Sequence, residues 1–305
     1  MTEEFTTEDA ADTADDTVRR QSFETSGPVD LDLAVGAGRV EVRLSDQPGV
    51  HVEIRHDTES VSPFLQQMNS LLTWVSGQFG DSAGNLTPAE AVRQTRIELI
   101  GNRLVVRAPK TLPLRTVPIA VSVRAPAESS VVADTGAAAI VVTGPAGWLD
   151  LHTGSGDVRA DRASKPAEVR TGSGSVRLGP MLDGLKARTG SGDLEVTSIG
   201  GGSSLHTGSG DVWLGAVAGD VMARTGSGDL TVADASSGQI ELSTGSGNIR
   251  VGVRAGCAAE VDLTSASGQA RSDLGLSETR PETTPGLRIR GRTASGSAVI
   301  SPATT

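Results

Sequence analysis

The phrase Thr-Gly-Ser-Gly opens at Thr153, Thr171, Thr189, Thr207 and Thr225, always at one fixed interval, and once more at Thr244, one position late. A weaker copy, Thr-Gly-Ala-Ala, opens at Thr135, the same interval ahead of Thr153. A unit this short cannot bury a core of its own, so the units must stack and share one. Aligning each unit on its threonine exposes the columns of that core. Four positions earlier stand Val131, Leu149, Ala167, Leu185, Ser203, Val221 and Ile240; two earlier stand Ala133, Leu151, Val169, Ala187, Leu205, Ala223 and Leu242. Five later come Ile140, Val158, Val176, Leu194, Val212, Leu230 and Ile249, and seven later Val142, Ala160, Leu178, Val196, Leu214, Val232 and Val251. Period two on each side of Gly-Ser-Gly predicts short strands with alternate side chains buried, and the change of parity across the glycines predicts a bend there. The expected fold is all-β: a single parallel β-solenoid of about 18 residues per coil, each coil adding about 4.8 Å. A β-propeller blade needs about 40 or more residues in four strands, so one repeat is too short for a blade; two repeats per blade stay open by counting alone.

Two segments depart from this rhythm. Residues 1–27 hold seven acidic residues before Arg19 and few large apolar ones, which predicts a disordered acidic tail. Residues 28–303 then form the solenoid domain. They begin with the alternation Val29, Leu31, Leu33, Val35 and Val40, Val42, Leu44 around Gly-Ala-Gly-Arg, with Val35 standing where the later threonines stand. Residues 57–94 interrupt it as a small α-helical insertion. Phe64, Met68, Leu71, Leu72, Val75 and Phe79 fall at helical spacing after Ser62-Pro63, and a second short helix is expected over Thr87–Gln94. The insertion carries no charge between Val61 and Gly80, which fits a cap over one end or flank of the stack, or else a docking helix for a partner.

The run Thr-Gly-Ser-Gly-Asp-Val, together with Gly-Asn-Arg-Leu-Val-Val-Arg-Ala-Pro and Pro-Ile-Ala-Val-Ser-Val-Arg-Ala-Pro ahead of it, resembles a bacterial family of β-strand-repeat proteins. That family is a domain of unknown function labelled "putative adhesin". The resemblance covers roughly residues 28–300 apart from the insertion, and it implies a β-solenoid without implying a chemistry.

The formal charge of -10 disfavours phosphate backbones as partners, and three Trp, four Phe and no Tyr leave no stacking platform for single-stranded nucleic acid. The one cysteine, Cys257, permits neither an internal disulfide nor a thiolate metal cluster and is expected as a small core residue. No run of 18 apolar residues occurs, and the acidic start lacks the basic and apolar regions of a secretory signal, so the expected location is cytoplasmic. The glycines do not form a phosphate-binding loop, because a strand follows them where a helix would be needed; they are expected at tight corners with unusual φ. The serine between them is not a nucleophile elbow. The threonine column is expected to hydrogen-bond along the stack.

Four residues after each threonine stand Asp157, Ser175, Asp193, Asp211, Asp229 and Asn248. Stacked carboxylates about 4.8 Å apart repel. Three offsets present themselves: the row His152, Arg170, Arg188, His206 and Arg224; backbone N–H donation in an Asx-type turn; or a bound cation such as calcium, whose usual Gly-Gly-x-Gly-x-Asp spacing is missing. Turn capping is the expected one. His152 and His206 stand three coils apart, about 14 Å, too far to share zinc, and His51 and His56 lie outside the array. No catalytic, cofactor-binding or metal residues are assigned.

The expected function is a non-enzymatic repeat scaffold, an adhesin-like structural or binding protein offering a long ridged surface to a protein or glycan. Its outward residues include Arg159, Arg177, Glu195, Trp213 and Arg250. No nucleic acid and no membrane span are expected. The alternatives are a self-assembling, cytoskeletal-type scaffold with stacked ends, and an enzyme acting on polysaccharide, which would require clustered acids that the sequence does not display.

Overall fold

A computed structural model describes residues 18–57, 88–112, 114–275 and 285–303. The chain is all-β, and nearly all of its strand pairs are parallel. The first part contains β1 (Val18–Phe23), β2 (Asp30–Val35), β3 (Ala37–Ser45), β4 (Val50–His56), the helix α1 (Pro88–Gln94), β5 (Arg96–Ile100), β6 (Arg103–Arg107) and β7 (Pro118–Pro126). The repeats supply β8 (Ser130–Thr135), β9 (Ala139–Ala146), β10 (Leu149–Thr153), β11 (Val158–Ala163), β12 (Ala167–Thr171), β13 (Val176–Met181), β14 (Leu185–Thr189) and β15 (Leu194–Ile199). They continue with β16 (Ser203–Ser209), β17 (Val212–Ala218), β18 (Val221–Ser227), β19 (Leu230–Ser246) and β20 (Ile249–Val253). Last come β21 (Ala259–Ser265), β22 (Ala270–Ser272), β23 (Leu287–Ser295) and β24 (Ala298–Pro302).

The repeat dictates the pairing. Strands that end on the motif threonine pair with their equivalents one lap away, so that Leu149 lies opposite Ala167, which lies opposite Leu185, and Thr153 opposite Thr171, which lies opposite Thr189. This pre-turn ladder runs β5, β6, β2, β8, β10, β12, β14, β16, β18, β19, β23, β21. Strands that follow the glycines form a post-turn ladder, β1, β4, β7, β3, β9, β11, β13, β15, β17, β19, β20, β24, β22. The predicted inward columns are the core: Leu151, Val169, Leu194, Val196 and their equivalents are buried in one continuous cluster between the ladders. The serine in those columns, Ser203, spends its hydroxyl on the amide of Leu185 (2.9 Å) and the carbonyl of Gly201 (3.1 Å).

Spatial and sequence order differ at both ends. The first lap, β2–β3, lies against β8–β9, with Val35 opposite Thr135 as the alignment predicts. Its other side is covered by β6 and β7, which come from beyond the insertion; Asp32, on β2, is buried and ion-paired with both Arg103 and Arg107 of β6. Three antiparallel pairs, β1–β4, β4–β7 and β5–β6, finish this end. The helix α1 buries Ala91 and Val92 beside them, and the Thr95 hydroxyl ends it by donating to the Ala91 carbonyl at 2.8 Å. At the opposite end, the C-terminal lap β23–β24 is inserted between β19–β20 and the outermost lap β21–β22.

Two expectations change. The predicted tail of residues 1–27 does not hold from Val18 onward: Val18–Phe23 is a strand, because β4 offers it a free edge and Phe23 packs against the core. In the insertion at 57–94, the second helix forms as Pro88–Gln94, whereas the expected helix over Phe64–Phe79 lies outside the described residues. Among the described residues no helix is long and apolar enough to cross a membrane.

Candidate functional site

The side chains that make the motif recognisable are spent inside the stack. Thr171 is buried; its hydroxyl donates to the carbonyl of Gly156 in the previous lap (3.2 Å) and accepts the N–H of Gly174 in its own turn (3.0 Å). Thr153 and Thr189 repeat the pair, and Thr207, Thr225, Thr244 and Thr293 repeat the donation. The glycines answer to close approach at every corner, and to unusual φ, as the sequence suggested, only in the later ones, where Gly210, Gly228, Gly247 and Gly296 have φ between 143° and 157°. Neither Gly172 nor Gly174 has a positive φ, but a β-carbon would lie 2.3 Å from the Gly154 carbonyl oxygen in the first case and 1.9 Å from that of Gly156 in the second. Corner sits directly on corner.

The aspartates cap the next lap. Asp157 Oδ1 accepts the N–H of Ser175 (2.9 Å), Asp193 that of Asp211 (3.0 Å), Asp211 that of Asp229 (2.8 Å) and Asp229 that of Asn248 (2.8 Å). Asn248 hands the pattern on to Ser297 at 3.0 Å. The capping is therefore between laps and not an Asx turn within one. At Asp229 burial pushes the carboxyl up, but the amide of Asn248 and the guanidinium of Arg250 outweigh it and hold the group below its ordinary range. The row expected to offset these acids does not reach them. Arg170 pairs with Glu168, Arg224 with Glu241 (3.6 Å) and His152 with Asp150 (3.0 Å), all on the pre-turn ladder itself. Among the described residues no group of three or more His, Cys, Asp or Glu side chains gathers to hold a metal ion. Cys257 is half-buried against the core's edge and unpaired.

The outward row Arg159, Arg177, Glu195, Trp213 and Arg250 is exposed on the post-turn ladder, as its parity requires. Arg177 pairs with Glu195 (3.4 Å), and the Trp213 ring lies beside Gly215, where an added β-carbon would meet it at 3.2 Å. These side chains form an outward ridge.

The concave surface lies at the other corner, where each post-turn strand returns to the pre-turn ladder. One column, five positions before the threonines, holds Trp148, Pro166, Gly184, Gly202, Asp220 and Gln239. Between Trp148 and Asp220 the column has no long side chain, so the Pro166 ring and the backbone of Gly184 and Gly202 form the floor of a groove of about 790 Å³, whose lining runs from Trp148 to Gln239 across five successive intervals, about 24 Å. The outward pre-turn row Glu168, Lys186, Ser204, Met222 and Glu241 makes its wall. Glu168 lies 3.3 Å from Lys186; burial raises its carboxyl, but Lys186, Arg170 and His152 together hold it below the ordinary range. Asp220 is occupied with the Gln239 amide (2.8 Å). The groove thus offers a flat indole at one end, an exposed Met222 along its wall, and a polar, mostly acidic rim. No inward apolar column and no repeated charge marks it in the sequence. The legible signal was a column in which Pro, Gly and Gly follow a Trp.

A model of the Toastrack DUF4097 family matches residues 121–304, more than half of the chain. The chain belongs to that family. The match takes in the whole stack from β8 onward, the groove included. Solved structures similar to this Toastrack chain include a "putative adhesin" from Bacteroides fragilis (11% identity, 93% of this chain and 97% of that one, TM-score 0.44). Others are a "putative lipid binding protein" from Parabacteroides distasonis (13%, 93% and 97%, 0.44) and a "putative adhesin" from the same species (9%, 92% and 96%, 0.36). No curated protein matches the chain.

Proposed function

We propose that this protein is a non-enzymatic repeat scaffold. In this reading its laps form a two-sided parallel β-solenoid, one coil per repeat, and the return-corner groove holds an extended partner, a protein segment or a glycan chain. One observation carries it: the floor of Pro166, Gly184 and Gly202 runs without a long side chain between Trp148 and Asp220 across the stack. An extended ligand presents a repeating contact every few ångströms, and a stack of laps about 4.8 Å apart matches it more readily than it encloses a compact molecule. The consumption of the motif's Thr and Asp side chains by the backbone supports a role without catalysis, since those hydroxyls and carboxylates have their hydrogen bonds inside the protein.

The test is a panel of glycans and extended peptides presented to the native chain and to Gly202→Leu. A β-carbon at Gly202 meets no atom within 4 Å, so the variant obstructs the groove without disturbing the stack. Binding of at least one panel member, weakened tenfold or more in the variant at unchanged melting temperature, is expected. Equal binding by both proteins removes the groove from the reading, and shortened glycan products would replace scaffold with enzyme.

A self-assembling scaffold is favoured by a different observation. In the outermost lap Ala259, Val261 and Leu263 are only half-buried, whereas the same columns are fully covered further in. Stacking of such ends would appear as light scattering that rises with concentration.

A further inference from the structure

The antiparallel strands that finish the post-turn ladder place basic side chains in one cross-strand row. Ser22 on β1 lies opposite His51 on β4, His51 opposite Arg124 on β7, and Arg124 opposite Arg43 on β3. In the next row Arg20 stands opposite Glu53, and Arg55 lies two residues beyond Glu53 on β4. Like charges on directly opposite residues destabilise a sheet, and here two arginines and a histidine are neighbours on adjacent strands. They line a concave recess of about 470 Å³, which four arginines share with two glutamates. The glutamates are engaged: Glu53 takes Arg20 at 3.0 Å, and Glu41 lies 3.4 Å from Arg39 and 3.5 Å from Arg43. The Ser22 hydroxyl and His51 Nδ1 are 2.8 Å apart. Among the described residues Arg124 and Arg55 have no ion-pair or hydrogen-bond partner for their guanidinium groups.

We infer that this recess binds a small tetrahedral oxyanion of the phosphate or sulfate class, free or as a monoester, held by Arg124 and Arg43 with His51 at its margin. Arginine forks match oxyanions in two-point contact, and two charges in excess of the glutamates suit a dianion. The size of the ligand follows from the rows. His51, Arg124 and Arg43 span about two strand spacings, roughly 10 Å, and the adjacent row contains Glu53 and Glu41, which repel any polyanion that continues past the three basic residues. The site is on the opposite ladder from the groove proposed above and stands independently of it. Most of it precedes the residues matched to the family.

The experiment titrates the full chain with inorganic phosphate and with sulfate by calorimetry at constant ionic strength. Sedimentation with phosphatidate vesicles, against phosphatidylcholine vesicles, is run in parallel. Expected is saturable binding of one anion per chain, weakened at least tenfold by Arg124→Gln and by Arg43→Gln, and unchanged within twofold by Arg188→Gln, an exposed arginine of the pre-turn ladder. Melting curves report folding; Arg124 is exposed, so its variant retains the native midpoint. Phosphate binding without vesicle binding identifies a free ion or small monoester as the ligand, and selective sedimentation with phosphatidate that Arg124→Gln abolishes identifies a headgroup; either supports the site. Absence of saturable binding to all three anionic probes, or an equal loss in Arg188→Gln, overturns it.

Discussion

Gly174 and Gly202 belong to the same stack, and neither has a positive φ, yet they respond oppositely to a side chain. At Gly174 a methyl group would lie 1.9 Å from the Gly156 oxygen and 2.5 Å from its carbon, and Gly156 is itself pressed against Ala138. Relief would require moving several laps, so Gly174→Ala should cost on the order of 1–3 kcal/mol, as overpacking does elsewhere, and lower Tm by several degrees. Gly202→Ala enters open space and should stay within about 0.5 kcal/mol of the parent. Equal shifts in paired melting curves would mean that these glycines are required for something other than close approach. Charge at the corner gives a second prediction. The folded carboxyl of Asp229 sits below its unfolded value, so its contribution is complete above the unfolded pKa, near 3.9, and disappears as pH falls through the folded one. Asp229→Asn keeps the Oδ1 acceptor, as Asn248 does naturally one lap on. At neutral pH it should lose no more than about 1 kcal/mol, the usual worth of a partly exposed ion pair such as that with Arg250. Between about pH 5 and 2 its Tm should fall less steeply than the native protein's. Parallel pH profiles would show that Asp229 is not a source of acid sensitivity.

At the level of strands, the alignment on threonine foretold most of the array. Every predicted column from Val131 to Val251 is buried, because period two in a strand leaves no other face for it. The bend at Gly-Ser-Gly was legible from parity alone. The partners of β2 and β3 on their other side were not, since β6 and β7 reach them from across the whole insertion and carry no motif that announces the pairing. Strand β1 was hidden by its acidic neighbourhood: Val18 and Phe23 are too few apolar residues to outweigh composition, and only the free edge of β4 decides the matter. The late threonine, Thr244, was visible in the sequence, and the structure shows where the extra residue goes. Val217 lies opposite Ala235 but Ala218 opposite Ser237, so Ser236 is the bulge, its hydroxyl turned to the Val217 carbonyl at 3.0 Å. Beyond it the register resumes, with Val221 opposite Ile240. Deleting Ser236 removes one hydrogen bond and restores the regular lap length. The expected product is folded, with a Tm within a few degrees of the parent and an unchanged far-ultraviolet strand signal. Loss of the folded state would show that the bulge is needed to bring in β23.

Across the whole molecule the two ends are built differently, and that asymmetry sets where the stack opens. One end is closed by antiparallel strands and by α1, with Leu104, Val106, Val121 and Ile54 fully buried behind them. The other ends in β21 and β22, whose only ladder partners among the described residues are β23 and β24. Ala270, Arg271 and Ser272 are exposed throughout, and the exposed pairs Glu260–Arg288 (2.8 Å) and Asp262–Arg290 (3.3 Å) add little. In a stack whose stability is a sum over neighbouring laps, a terminal lap with one neighbour and a half-covered apolar face opens first, and each inner lap must wait for it or for a costlier break on two sides. Because β23–β24 is threaded between β21–β22 and the rest, fraying of the outer lap does not release the C-terminal one. Hydrogen exchange should therefore show three levels: fast amides in β21 and β22, intermediate ones in β23 and β24, and the slowest in the laps from β12 to β18. The outer lap should exchange at least a hundredfold faster than the middle laps. Protection in β21 equal to that in β15 would mean that another surface, such as the same end of a second copy, covers it in solution; dilution would then bring the fast exchange back.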